Sequence, residues 1–236
     1  MNKKYPKLLE KCPIIDSLIE IRFESKVHPN TIFGIIYSAL EVDFKKIENL
    51  PILQLPEAIR MSDPNLKYKP LYRISNKEFV IQIGSDVITI GSFPNYVGWT
   101  RFLNKTISIL TEIENLNIIK KIERFGLRYI NFFDENIFDN IKLDLSLQNS
   151  NFKLKNTVVR TEITQGVFSS TLQITNNASV GIRKGSIIDI DTHKTKGLQN
   201  FFKEKKEIIN EAHQKEKELF FSLLREDFIN RLEPKY

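Results

Sequence analysis

ITIGSFPNYVGWTRF (residues 88–102) lies without a gap over IDIDTHKTKGLQNFF (residues 188–202), with Ile88, Ile90 and Phe102 above Ile188, Ile190 and Phe202. Each stretch alternates apolar and polar residues as a half-buried strand does, then runs through a glycine-containing loop into the start of a helix. Two shorter matches fall in the same order: IEIRF (19–23) with FGLRY (125–129), and VIQIG (80–84) with TLQIT (171–175). Three matches in one order point to an internal duplication.

Working outward from these matches gives the element order. IIDSLIEIRFE (14–24) reads as a strand, and Thr31 to Ile47 as an amphipathic helix with Ile32, Ile35, Ile36, Ala39, Leu40 and Phe44 at helical spacing. Pro51, Pro56, Pro64 and Pro70 break up the next stretch, which has room for a short strand near Ala58 to Met61. LYRISNKEFVIQIGSDVITIGS reads as a three-strand meander and GWTRFLNKTISILTEIENL as a helix. The second half repeats this with a strand in KIERFGLRYINFF, a weak helix at Glu135 to Leu147, a hairpin in NTVVRTEITQGVFSSTLQITN, two strands around Lys184-Gly185, and a long helix from Gly197 to Leu232. The expected fold is therefore α+β. Residues 1–12 form a basic N-terminal segment, and 13–117 and 118–236 form two repeated β-α-β4-α units, with a mostly antiparallel sheet, helices on one face and a long C-terminal helix. This order resembles the half-unit of the TATA-box-binding protein, in which two copies form a single curved sheet.

Composition narrows the function. The 236 residues are 41% hydrophobic with 17 Phe, enough for a sizeable core. TIFGIIYSAL (31–40) is the longest mostly apolar stretch and is far short of the roughly 20 residues that span a bilayer, so no membrane partner is expected. Cys12 is the single cysteine, which excludes an intrachain disulfide and a multi-thiolate zinc site and fits a reducing cytoplasm. The net charge of +6, from 35 basic and 29 acidic side chains, is compatible with a nucleic-acid partner but does not by itself indicate one. No glycine-rich phosphate loop, G-x-S-x-G elbow or H-E-x-x-H helix occurs, so no cofactor and no familiar catalytic centre is expected.

Strand alternation places Glu20, Arg22, Arg124, Arg128, Arg160, Glu162, Asp189 and Asp191 on the polar sheet face, together with Glu24 and Arg183. Its five basic and five acidic members suggest cross-strand ion pairing rather than a saddle for phosphates, with Asp189 and Asp191 reaching Arg128, Arg160 or Arg183. A competing reading takes Asp189, Asp191 and Glu162 as ligands of a divalent ion in a nuclease or hydrolase. His193 cannot join it, because Asp189 and His193 lie about 13 Å apart on a straight strand. Trp99 and Phe102, one helical turn apart, are expected to be buried together against the sheet. The long last helix is expected either to meet a partner with part of its length, a second copy of the chain included, or to lie diagonally across both repeats.

PIIDSLIEIRF, VGWTRF (97–102), ERFGLRYIN (123–131), IDIDTH (188–193) and HQKEKELFFSLLREDF together resemble the hallmarks of a sporadically distributed bacterial family of unassigned function, GLRYIN being the most specific segment. The resemblance covers nearly the whole chain. It implies a non-enzymatic protein-binding or regulatory component of a defence or toxin-antitoxin type gene cluster, with another protein of the same operon as partner. Nucleic-acid binding is the alternative.

Overall fold

The computed structural model describes residues 5–147, 150–151 and 156–236. In chain order it contains β1 (Leu8–Leu9), β2 (Ile14–Ser25), α1 (Pro29–Leu40), β3 (Lys46–Asn49), α2 (Glu57–Ser62), β4 (Tyr72–Ser75), β5 (Phe79–Ile83), β6 (Val87–Ser92), α3 (Trp99–Asn115) and β7 (Ile119–Phe133). There follow β8 (Ser146–Leu147), β9 (Ser150–Asn151), β10 (Val158–Gln165), β11 (Phe168–Val180), β12 (Arg183–Lys194), α4 (Phe201–Leu223), α5 (Glu226–Arg231) and β13 (Pro234–Lys235). The class is α+β, with a large, mostly antiparallel sheet and five α-helices among the described residues.

The chain divides into two compact units. The first comprises Asp16–Leu127 and His193–Asn210; the second comprises Met1–Ile15, Arg128–Thr192 and Glu211–Tyr236. In the first unit the hydrogen-bonded strand order is β7-β2-β6-β5-β4-β3. Every second residue of β2 (Ile19, Ile21, Phe23) is buried, as are Ile32 and Ile36 of α1 and Phe102, Ile109 and Ile113 of α3, following the period-two and period-3.6 apolar stripes of strand and helix. Phe125 of β7 meets Phe201 of α4 with ring centroids 5.8 Å apart.

Here α1 stops at Leu40, earlier than the expected Ile47, and the next strand, β3, starts at Lys46. His28 caps the helix by accepting the Asn30 N–H at 3.3 Å, with Pro29 in its first turn, which gives that histidine a structural role. The strand expected near 58–61 is instead the short helix α2. Its first-turn Glu57 and the preceding Pro56 favour a helix start over a strand.

In the second unit the order is β10-β11-β12-β7, with β1 paired to β13 at the termini. Phe133, Ile174, Ile188, Ile190, Phe220, Leu224 and Phe228 share one core cluster. The helix expected at 135–147 is reduced to a single 3-10 turn, Ile137–Asp139. Side chains compete for its backbone: Ser186 Oγ accepts the Ile137 N–H at 3.0 Å and donates to the Glu135 carbonyl at 2.7 Å, while Ile137 drops fully into the core.

The single helix expected over 197–232 breaks after Leu223, whose carbonyl accepts the Lys142 N–H at 2.7 Å. Leu224 then forms a β-bridge with Ile141, and α5 restarts at Glu226. The turn expected at Lys184-Gly185 lies instead at Gly181-Ile182, where Gly181 has φ +59° and Ile182 is fully exposed. Gly185 sits within β12, where a Cβ would collide with the Phe133 carbonyl.

Candidate functional site

In the first unit the polar strand residues form a closed network. Glu20 Oε1 accepts from Arg22 Nε and from Arg124 Nη1, both at 2.7 Å. Alternation places Glu20 and Arg22 on one face of β2, and Arg124 reaches them from β7. The Arg22 guanidinium lies 4.6 Å from the ring centroid of Tyr68, whose hydroxyl donates to Glu123 Oε2 at 2.7 Å. Tyr68 comes from the proline-broken segment after α2, so that segment covers part of the polar sheet face. With only 13% of the Arg124 side chain and 18% of the Glu20 side chain exposed, this carboxylate is screened from water far more than an ordinary surface pair.

In the second unit Arg128 grips Asp189 with two parallel hydrogen bonds, Nε to Oδ1 at 2.8 Å and Nη2 to Oδ2 at 2.6 Å. This is the planar fork match that arginine makes with carboxylates, and it is the pairing expected for Asp189. Arg183 does not join it. Its place at the start of β12 lets it clamp Asp134, at 3.0 and 2.7 Å, while stacking 4.6 Å over Phe132. That exposed pair holds the Asp134 carboxyl below its usual range, through the hydrogen bond first.

Arg160 and Glu162 stay on β10 with their side chains exposed. Because β11 lies between β10 and β12, Glu162 is two strand spacings, roughly 9–10 Å, from the row carrying Asp189 and Asp191. The three acids therefore do not converge on one ion, and among the described residues no three His, Cys, Asp or Glu side chains do so.

A polar cluster missed by the reading of sheet-face residues lies beneath this row. Glu216, on α4, is 2% exposed. Its Oε1 accepts the backbone N–H of Tyr129 at 3.1 Å, while Oε2 is buried without a hydrogen-bond partner. Burial pushes its carboxyl well above the usual range; Asp191 adds to this, the Tyr129 N–H opposes it, and Asp189 adds a little more. Burial thus favours the protonated, uncharged form of Glu216. One turn before it, the His213 ring sits beside Tyr129, with Nδ1 3.4 Å from the hydroxyl. Burial, and then the nearby Lys217, lower its pKa to about 3, so this imidazole is also neutral. The helix and strand are thus joined by uncharged polar contacts.

One signal for Glu216 was available in the sequence. Ile209, Ala212, Glu216, Leu219 and Leu223 follow one apolar stripe, with the glutamate at a core position inside the charged run HQKEKE.

Trp99 is half-buried rather than enclosed, its ring 6.4 Å from that of Phe102. It is the first residue of α3, after Gly98 at φ +83°. No protein-family model matches the sequence, and no curated protein matches it. No helix among the described residues is long and apolar enough to cross a membrane.

Proposed function

We propose that this chain is a non-enzymatic protein-binding or regulatory component of a bacterial defence or toxin-antitoxin type gene cluster, acting in the cytoplasm with another protein of the same operon. The observation that carries this reading is the internally paired polar face. Glu20 is shared by Arg22 and Arg124, and Asp189 takes both arms of Arg128, so these arginines are already committed. A duplex-binding surface draws its affinity from cations available to phosphates, and here Tyr68 also lies over one of the arginines. The family resemblance supplies the operon context.

The finer fold reading belongs to the same proposal. The orders β2-β6-β5-β4 and β7-β12-β11-β10 each set the first strand of a half beside its last strand, with the meander running outward. That is the pattern a duplicated unit similar to the half-unit of the TATA-box-binding protein would leave. Co-expression with the untagged product of the neighbouring gene tests the function, with stoichiometric co-purification expected. A chain that purifies alone, leaves its neighbour's activity unchanged and instead binds duplex DNA with a steep salt dependence would replace this reading with the nucleic-acid one.

A further inference from the structure

Among the described residues, β10 ends the strand order of the second unit and pairs with β11 alone. No described residue pairs with the backbone groups of its outer edge, which natural sheets usually protect. The terminal strand of the first unit follows that rule. β3 has four residues, and its Lys46 and Glu48 form an ion pair at 2.6 Å. β10 does not follow it. Its eight residues, VVRTEITQ, include five β-branched side chains and no proline, glycine or lysine. Arg160 and Glu162, its charged residues, make no ion pair with described residues.

The hairpin fixes which backbone groups face outward. Gln165 and Phe168 close a two-residue turn, Gly166-Val167, with Gly166 at φ +70°. The closing pair of such a turn exchanges both hydrogen bonds. Alternation then directs the N–H and C=O groups of Gln165, Ile163, Thr161 and Val159 toward β11. Those of Thr164, Glu162, Arg160 and Val158 point away from it.

We propose that a second copy of this chain pairs with this edge, β10 against β10, antiparallel about a two-fold axis at Thr161. In that register the outward backbone groups of Arg160 meet those of Glu162 of the second copy, and Val158 meets Thr164, for about eight hydrogen bonds in all. Residues directly opposite share a face. Arg160 therefore lies against the opposing Glu162, twice across the axis. Val159 lies against the opposing Ile163, and both already pack on the second unit's core. The registers centred on Arg160 or on Glu162 set like charges opposite each other, so charge selects the Thr161 axis. Charge complementarity is what singles out a second copy as the occupant. The proposal is independent of the operon reading above.

Edge pairing covers much less than the roughly 1,600 Å² of a standard interface, so the dimer is reversible. Sedimentation equilibrium on the full chain should show the 27.6 kDa species moving to twice that mass as concentration rises. Glu162→Arg or Arg160→Glu alone should weaken association at least tenfold. The double variant Arg160→Glu/Glu162→Arg should restore it, and the two single variants mixed together should form a heterodimer. Both side chains are exposed, so all variants should unfold at the wild-type temperature when dilute. Three outcomes would each overturn the proposal: a wild type that stays monomeric up to concentrations on the order of 100 μM, a dimer indifferent to single charge reversal (as one built on α4 would be), or a double variant that fails to recover.

Discussion

Replacing Glu216 by glutamine should make the protein more stable above neutral pH. The carboxyl is 2% exposed, and burial raises its pKa, so the folded chain holds a proton that the unfolded chain releases above the ordinary glutamate value of about 4.3. With more protons bound in the folded state, stability falls as pH rises from there until the folded pKa is passed, by about 1.4 kcal/mol per pH unit. His213 acts in the opposite sense. Its pKa drops from 6.5 unfolded to about 3 folded, so its contribution is full above 6.5 and is lost toward pH 3. Where both groups titrate the two slopes oppose each other, and the Glu216 slope continues up to its raised folded pKa.

Urea unfolding at rising pH, starting from the ordinary glutamate value of about 4.3, should therefore show the wild type carrying a loss of stability that Glu216→Gln lacks. Glutamine keeps an acceptor for the Tyr129 N–H and removes the ionisation. Glu216→Leu should also lack that loss but lie lower by about 1–3 kcal/mol, because that N–H loses its partner. Parallel pH profiles for wild type and Glu216→Gln would refute the neutral-acid assignment.

Three further substitutions test the packing and the ion pairs. Asp189→Asn breaks the two-armed bond to Arg128, whose side chain is 40% exposed, so the loss should be about 1 kcal/mol in thermal or chemical melts. Trp99→Ala should cost roughly 2 kcal/mol, about half of what a fully enclosed aromatic loses, and Phe125→Ala, at a fully buried position, about 3–5 kcal/mol by the same melts. Gly185→Ala forces a methyl group onto the Phe133 backbone and should destabilise by at least about 3 kcal/mol, measurable as a lowered unfolding midpoint.

The strands were legible where one face is wet. IIDSLIEIRFE alternates cleanly, and β2 buries Ile19, Ile21 and Phe23 as that pattern requires. Legibility failed where a contact distant in sequence overrode a local preference. The helical pattern of 135–147 loses to Ser186, which binds the backbone on both sides of Asn136, and the continuous pattern of 197–232 loses to the strand-like segment around Ile141. Gly185 shows the same limit: glycine next to lysine reads as a turn, yet its lack of a side chain is needed because another strand's carbonyl passes close by.

The polar residues divide along a similar line. Pairing between Arg128 and Asp189 follows from strand alternation and sign, both visible in the sequence, since any fold that sets those two strands side by side brings a cation to an anion. Glu216 was hidden for the opposite reason. Charge in HQKEKE reads as a solvated helix face, and only its i, i+4 relation to Ala212 and its i, i+3 relation to Leu219 place it inside. A glutamate kept in the apolar stripe of a helix, with one oxygen on a strand amide and the other on nothing, leaves the unit less stable than a glutamine would at high pH. The negative charges of Asp191 and Asp189 on the strand act on the same carboxyl and hold its proton more firmly. Asp189→Asn should therefore lower the pH at which Glu216 ionises, because removing a nearby negative charge eases the loss of its proton. The decline should end at a lower pH in Asp189→Asn than in the wild type, and an unchanged end-point would refute a charge coupling between the strand and Glu216.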